Sequence, residues 1–147
     1  MKKIVVYLPH DRVHAGYLEL EVNGKVVFNC GALGKADNAK AAKCGNPGRD
    51  PVRPWGDTPC GSYDPARVMT LPPPYGHLGK YFIPMEGTIG QAAEAKTNGR
   101  TGLGIHGGRG NDRLVPTNGC VRLLDDDMEA LVELIDGDEV DIHVVRV

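Results

Sequence analysis

Between Gly104 and Leu124 the chain reads G-I-H-G-G-R-G-N-D-R-L-V-P-T-N-G-C-V-R-L-L, which sets a cysteine in a tight glycine turn with a histidine at close sequence range. A thiol is a useful nucleophile only as thiolate, and a neighbouring imidazole that takes its proton is the usual route to that form. Cys120 and His106 have this chemistry available if the polar loop between them folds back. Gly119 adds a second element. Small residues let a turn expose backbone N–H groups, and two such groups aimed at one point stabilise the oxyanion of an acyl-transfer intermediate. Taken singly, a free cysteine is more often a small buried hydrophobe, and a histidine ending an apolar run is more often a hydrogen-bonded strand residue. The ordered combination with the glycines carries the catalytic reading.

The pairing of I-H-G-G at 105–108 with T-N-G-C-V-R at 117–122 resembles the signature of the L,D-transpeptidase catalytic domain (YkuD-like). In that family a histidine-glycine pair precedes a serine or threonine, a variable residue, then glycine, cysteine, an aliphatic residue and arginine. The resemblance implies Cys120 as nucleophile, His106 as base and the Gly107 carbonyl as the group that orients the imidazole. It implies an oxyanion hole from the N–H groups around Asn118, Gly119 and Cys120. Arg122 would buttress the site or meet a substrate carboxylate, with Thr117 and Gly108 also placed on the substrate path. Asn118 stands where many family members carry a second histidine, so the proton chemistry falls on His106. A second stretch, G-D-T-P-C-G-S-Y at 56–63, is similar to the T-P-x-G-x-aromatic element that precedes a sheet strand in the same family.

What the resemblance implies for fold is a mainly β, L,D-transpeptidase-like sandwich or barrel, its catalytic turn on a rim and one α-helix of the C-terminal half packed beside that turn. For function it implies cysteine-dependent acyl transfer on peptidoglycan stem peptides through a thioester at Cys120, in the bacterial cell envelope or periplasm. Transpeptidation, carboxypeptidase action and D-amino acid exchange differ only in what resolves the thioester. The alternatives are an antibacterial effector using this chemistry on a competitor's wall, and a non-catalytic module that binds wall peptides in the same groove. No cofactor is expected. A metal site from His106, Cys120 and another cysteine lacks the C-x-x-C or H-x-x-x-H spacing such sites use.

The rest of the chain must position these residues. Its 147 residues fit one domain, 1–147, and its 20 glycines and 11 prolines fall between short β-prone runs, which favours strands joined by long ordered loops. A net charge of -2 gives no electrostatic case for nucleic acid or an anionic membrane surface. Arg109 and Arg113 are local exceptions, read as solvated loop cations or guides for an acidic substrate. The opening M-K-K-I-V-V-Y-L-P-H reads as a first strand, because its apolar run stops at Leu8 and no small-residue cleavage site follows. No run approaches the ~20 apolar residues of a membrane span, and neither the export route nor the oligomeric state is written in the chain. If Cys120 is a free thiol, Cys30, Cys44 and Cys60 leave room for at most one disulfide. A Cys30–Cys44 bridge and three reduced thiols stand as equal expectations.

Lys3 to Leu8 predicts a strand, and the alternating runs 17–22 and 25–28 around Asn23-Gly24 predict an antiparallel hairpin. From Gly31 to Thr58 the chain turns small and polar, with one or two helical turns at Ala39 to Lys43. A loop this long is often functional: it could serve as a lid or substrate filter anchored by Trp55, or Trp55 could plug the edge of the core. Pro59 and Gly61 mark a strand entrance that Arg67 to Leu71 would continue, and Pro72 to Pro74 end it. Gly79 to Met85 and Thr101 to His106 read as strands and Gln91 to Lys96 as a short helix. His77, in a Pro- and Gly-rich turn, could face the site or, as is commoner for a lone loop histidine, be solvated, and His10, His14 and His143 have no partner at readable spacing. Met128, Leu131, Val132, Leu134 and Ile135 form a helical stripe, with Asp126 as N-cap, Glu129 completing a capping box and Gly137 as the stop. Val140 to Val147 predict a closing strand.

Overall fold

Period-two alternation decides the first sheet. The computed structural model describes residues 1–147. Its strands are β1 (Lys2–Leu8), β2 (Gly16–Val22), β3 (Lys25–Ala32), β4 (Gly61–Ala66), β5 (Met69–Thr70), β6 (Tyr81–Pro84), β7 (Gly87–Ile89), β8 (Gly104–His106), β9 (Val121–Arg122) and β10 (Val140–Arg146). The helices are α1 (Asn38–Lys43), α2 (Gln91–Thr97) and α3 (Asp125–Ile135). Ile4, Val6 and Leu8 of β1 and Leu18 and Leu20 of β2 all point inward and are fully buried. The β2–β3 turn forms at Asn23 and Gly24, with φ of 52° and 82°, the positive values a tight two-residue hairpin requires.

One sheet runs β3-β2-β1-β10-β4-β7 and the other β5-β6-β8-β9. Both remain open at their edges, so the body is a sandwich and not a closed barrel. The chain is 35% strand and 16% helix. The closing strand β10 lies parallel to β1, Ile142 beside Ile4 and Val144 beside Val6. One core of 20 buried residues joins the two inner faces, Ile4, Leu18 and Ile142 meeting Ile83, Ile105 and Val121, and takes in Met128, Leu131 and Ile135 of α3.

Several expectations change. The strand entered at Gly61 does not run through to Leu71: β4 ends at Ala66 in the first sheet and β5 belongs to the second. All four cysteines are free thiols, so no Cys30–Cys44 bridge tethers the 31–58 segment. That segment is tied down by backbone pairing instead. Leu33 and Arg122 exchange hydrogen bonds of 3.0 and 2.9 Å, and Thr117 N–H donates to Lys35 O at 3.1 Å while Asp37 N–H donates to Thr117 O at 2.8 Å. Asp37 then caps α1 by accepting Lys40 N–H at 2.8 Å.

The α3 stripe is as expected, but its start is not a capping box. Leu124 holds the cap position without a side-chain bond, Asp126 lies inside the first turn, and the Asp126 N–H donates to Asn111 Oδ1 at 2.7 Å. The cap comes from the preceding loop because the aspartates sit one position too deep to fold back on their own helix. They still face the positive end of its dipole. At the other end Asp136 takes the left-handed conformation at φ 52°, followed by Gly137 at 77°.

Candidate active site

His106 ends β8 and Cys120 immediately precedes β9. The parallel register sets Ile105 beside Val121 and His106 beside Arg122, so one step back Cys120 lies alongside Gly104. Partners in register project to one face and every second residue returns to it. The thiol and the imidazole therefore leave the same side of the second sheet, and both line a cavity of about 410 Å³ together with Thr117, Asn118, Arg100 and Trp55.

His106 is 1% exposed. Its Nδ1 lies 2.8 Å from the Gly107 carbonyl oxygen, which can only accept, so the ring proton sits on Nδ1 and Nε2 carries the free lone pair. Arg122 Nη1 donates to the same carbonyl and to His77 O at 2.8 Å, and its Nε donates to Val115 O at 3.3 Å. Burial is the main force that drives the His106 pKa down to about 4; the Arg122 charge pushes the same way and the Gly107 hydrogen bond partly opposes them. At neutral pH the imidazole is neutral and basic at Nε2.

Cys120 is 9% exposed. Its thiol donates to Gly102 O at 3.6 Å, and no hydrogen bond joins it to His106 in this resting arrangement. Burial pushes the thiol pKa up, against the pull of the Gly104 N–H and the Arg100 and Arg122 charges. The resting pair is thus a thiol and a neutral imidazole, not a separated thiolate and imidazolium.

The turn before the cysteine is tightly fastened. Thr117 Oγ1 accepts Gly119 N–H and donates to Cys120 O, both at 2.9 Å, and Thr58 Oγ1 donates to Gly119 O at 2.6 Å. The N–H groups of Asn118 and Cys120 have no acceptor within the protein, whereas that of Gly119 is already engaged. Gly119 has φ +116°, and a Cβ there would stand 1.9 Å from Arg100 Nη2, so only glycine fits over this guanidinium. Arg100 is itself held by the carbonyls of Pro51, Gly56 and Asp57 at 2.7, 2.8 and 2.7 Å.

The residues singled out in the sequence divide by position. Cys120, His106, Thr117 and Asn118 open on the cavity. Gly107 and Gly108 face a neighbouring cavity of about 300 Å³ bordered by Tyr75, Lys80, Asp125 and Glu129. Arg122 is 2% exposed, with its Nε and Nη1 bound to main-chain carbonyls, which fits the buttress, while its Nη2 has no partner within the protein. Trp55 stands on the cavity wall, with the Lys40 ammonium 5.7 Å from its ring centre. His77 borders the cavity and gives its carbonyl to Arg122, while His143 pairs with Ser62 Oγ at 2.9 Å away from it. Arg109 and Arg113 are exposed.

Three supporting residues escaped the sequence. Asp125 reads there as a dipole-facing acid, yet it clamps the histidine loop by accepting Gly108 N–H at 2.6 Å and Gly110 N–H at 3.0 Å. Thr58 lies inside the 56–63 motif, where only backbone geometry was legible. Arg100 follows a helix and a glycine, and nothing in its neighbourhood marks it as buried.

The chain belongs to the YkuD family, the L,D-transpeptidase catalytic domain, whose model matches residues 19–142. No curated protein matches the sequence closely. Among solved structures it is similar to the Ldtfm-avibactam carbamoyl enzyme, with TM-score 0.55 and 16% identity over 98% of this chain and 48% of that one. It is also similar to Bd1075 of Bdellovibrio bacteriovorus, with TM-score 0.57 and 15% identity over 97% of this chain and 48% of that one. A third likeness is the helical cell shape determining protein Pgp2 of Campylobacter jejuni, with TM-score 0.57 and 14% identity over 99% of this chain and 48% of that one. The chain spans about half the length of each of these proteins.

Proposed function

We propose that this protein is a cysteine acyl-transferase acting on peptidoglycan stem peptides in the bacterial cell envelope, with Cys120 as nucleophile and His106 as its base. The observation that carries this reading is the shared cavity: a thiol and a neutral imidazole with a free Nε2 open on it together, beside two N–H groups that no protein acceptor occupies.

The chemistry follows from that arrangement. A stem peptide enters with the carbonyl between the L-centre of its diamino acid and the terminal D-alanine over Cys120. The thiol swings from Gly102 O toward Nε2, gives up its proton there, and the sulfur bonds to the carbonyl carbon. The Asn118 and Cys120 N–H groups take the oxyanion, the role for which fixed donors are worth most. Collapse breaks the C–N bond, and the imidazolium returns its proton to the leaving amine, leaving a thioester and free D-alanine. Because burial and Arg122 keep the imidazole neutral at rest, the ion pair forms only as the carbonyl is attacked. An amine of a second stem, water or a D-amino acid then resolves the thioester, giving a cross-link, a trimmed stem or an exchanged terminus.

The test is to incubate the protein with a disaccharide tetrapeptide and follow released D-alanine and the remaining muropeptides by chromatography and mass spectrometry. Release by the native protein and none by Cys120→Ala, with unchanged circular dichroism, is the expected result. Equal release by both proteins would remove Cys120 from the chemistry.

A further inference from the structure

Arg12 is a buried cation that no carboxylate meets in a salt bridge. It is 5% exposed and lines a cavity of about 280 Å³ that shares no residue with the one at Cys120. Its Nη1 donates to Pro9 O at 2.8 Å, its Nη2 to Thr58 O at 3.1 Å and Cys60 Sγ at 3.2 Å, and its Nε, fully enclosed, has no partner. Desolvating a guanidinium is costly unless charge and hydrogen bonds offset the loss. Here neither is complete.

The acids of this cavity are committed elsewhere. Asp57 accepts Ala36 N–H at 2.8 Å and stands 3.3 Å from Arg49 Nε, off the hydrogen-bonding direction. Asp11 accepts Val13 N–H at 3.0 Å. No carboxylate lies within 4.0 Å of Arg12 or of Arg146, the second guanidinium on the wall. Arg146 Nη1 donates to His10 Nδ1 at 3.1 Å, which places the ring N–H at Nε2 as a further donor. Two guanidiniums outside any salt bridge and an imidazole N–H therefore border one open space.

We propose that this cavity binds a phosphate-class dianion, either free phosphate or the phosphate group of a small ligand, held by Arg12, Arg146 and His10. Two guanidiniums outside any salt bridge favour a dianion over a monocarboxylate, with Asp57 engaged by Ala36 N–H and beside Arg49, and planar guanidiniums match the oxygen geometry of phosphate. The site is separate from the acyl-transfer reading and stands without it. It is nonetheless mechanically close to the nucleophile turn, because Thr58 receives Arg12 on its carbonyl and donates its hydroxyl to Gly119 O.

The experiment is an NMR titration of ¹⁵N-labelled full-length protein with inorganic phosphate, glycerol 3-phosphate and acetate at fixed ionic strength and neutral pH. Saturable shifts of the Arg12 Nε–H and of backbone amides at 10–12 and 48–49 are expected with phosphate, at least tenfold tighter than with acetate. Shifts by both phosphate compounds mean free phosphate suffices; shifts by the ester alone assign the site to a larger ligand, and either supports the site. Arg146 is exposed, so Arg146→Gln should fold normally and weaken phosphate at least tenfold, and Arg12→Gln should abolish the response. Absence of saturable shifts, equal affinity for acetate, or wild-type affinity in Arg146→Gln would overturn the proposal.

Discussion

Replacing His106 by asparagine should flatten the acid limb of the protein's stability curve. Asparagine keeps a donor near the Nδ1 position for the Gly107 carbonyl but cannot titrate. In the native protein the imidazole pKa falls from 6.5 to about 4 on folding, so between those values the unfolded chain binds more protons than the folded one. The stability this group contributes is therefore complete above pH 6.5 and is lost as the pH falls toward 4. At about 1.4 kcal/mol per pH unit the loss reaches about 3 kcal/mol, a large share of the ~5–15 kcal/mol that holds a domain folded. Urea unfolding followed by circular dichroism at half-unit steps from pH 4 to 8 measures it. Asp57, whose carboxyl burial pushes up, has the opposite sign: its stability is present at low pH and lost as pH rises through its raised value. It is common to both proteins and cancels in the difference. The difference curve should be flat above pH 6.5 and slope below it; parallel curves throughout would refute a buried neutral imidazole.

The alkylation rate of Cys120 by iodoacetamide should climb through the alkaline range without a plateau near neutrality, since burial holds its thiol pKa high. His106→Asn should slow that reaction at pH 7; an unchanged rate would mean another group takes the proton. Gly119→Ala forces a side chain into φ +116° against Arg100 and should cost at least about 1–3 kcal/mol by urea unfolding, together with most of the turnover. Asp125→Ala releases two N–H groups of the histidine loop and should lower kcat about tenfold with little change in KM, whereas Asp125→Asn, which keeps one acceptor and turns an NH2 toward the other N–H, should fall between that variant and the native protein. Equal activity of Asp125→Ala and native protein would show the clamp to be dispensable.

The sequence carried what is local. Cys120, His106 and their glycines form a motif whose chemistry is fixed by residue type, the β2–β3 turn is dictated by two adjacent residues that tolerate positive φ, and the α3 stripe repeats at helical spacing. Long-range arrangement was not legible. Parallel pairing of β10 with β1 joins the two ends of the chain, and neither strand's composition names its partner. The pairing of residues 33–37 with the turn at Thr117 and with Arg122 is main chain to main chain, so L-G-K-A-D shows no pattern that would reveal it. Arg100 and Arg12 were unreadable for a related reason: Arg100 binds the carbonyls of Pro51 and Asp57 and Arg12 that of Thr58, all from distant loops, and a buried arginine looks like a solvated one until those loops are placed. Asp125 was assigned the helix dipole because that is the nearest partner in sequence, while the partners it actually holds are Gly108 and Gly110.

If Cys120 is the nucleophile, its sulfur must carry the acyl group between the two halves of the reaction. Intact-protein mass spectrometry during the first turnovers with disaccharide tetrapeptide, followed by peptide mapping, measures this directly. The expected result is an adduct equal to the substrate less D-alanine, on Cys120, removed by hydroxylamine and absent from Cys120→Ala. Substrate turnover with no adduct under acid quench, or an adduct on Cys30, Cys44 or Cys60 in place of Cys120, would contradict it.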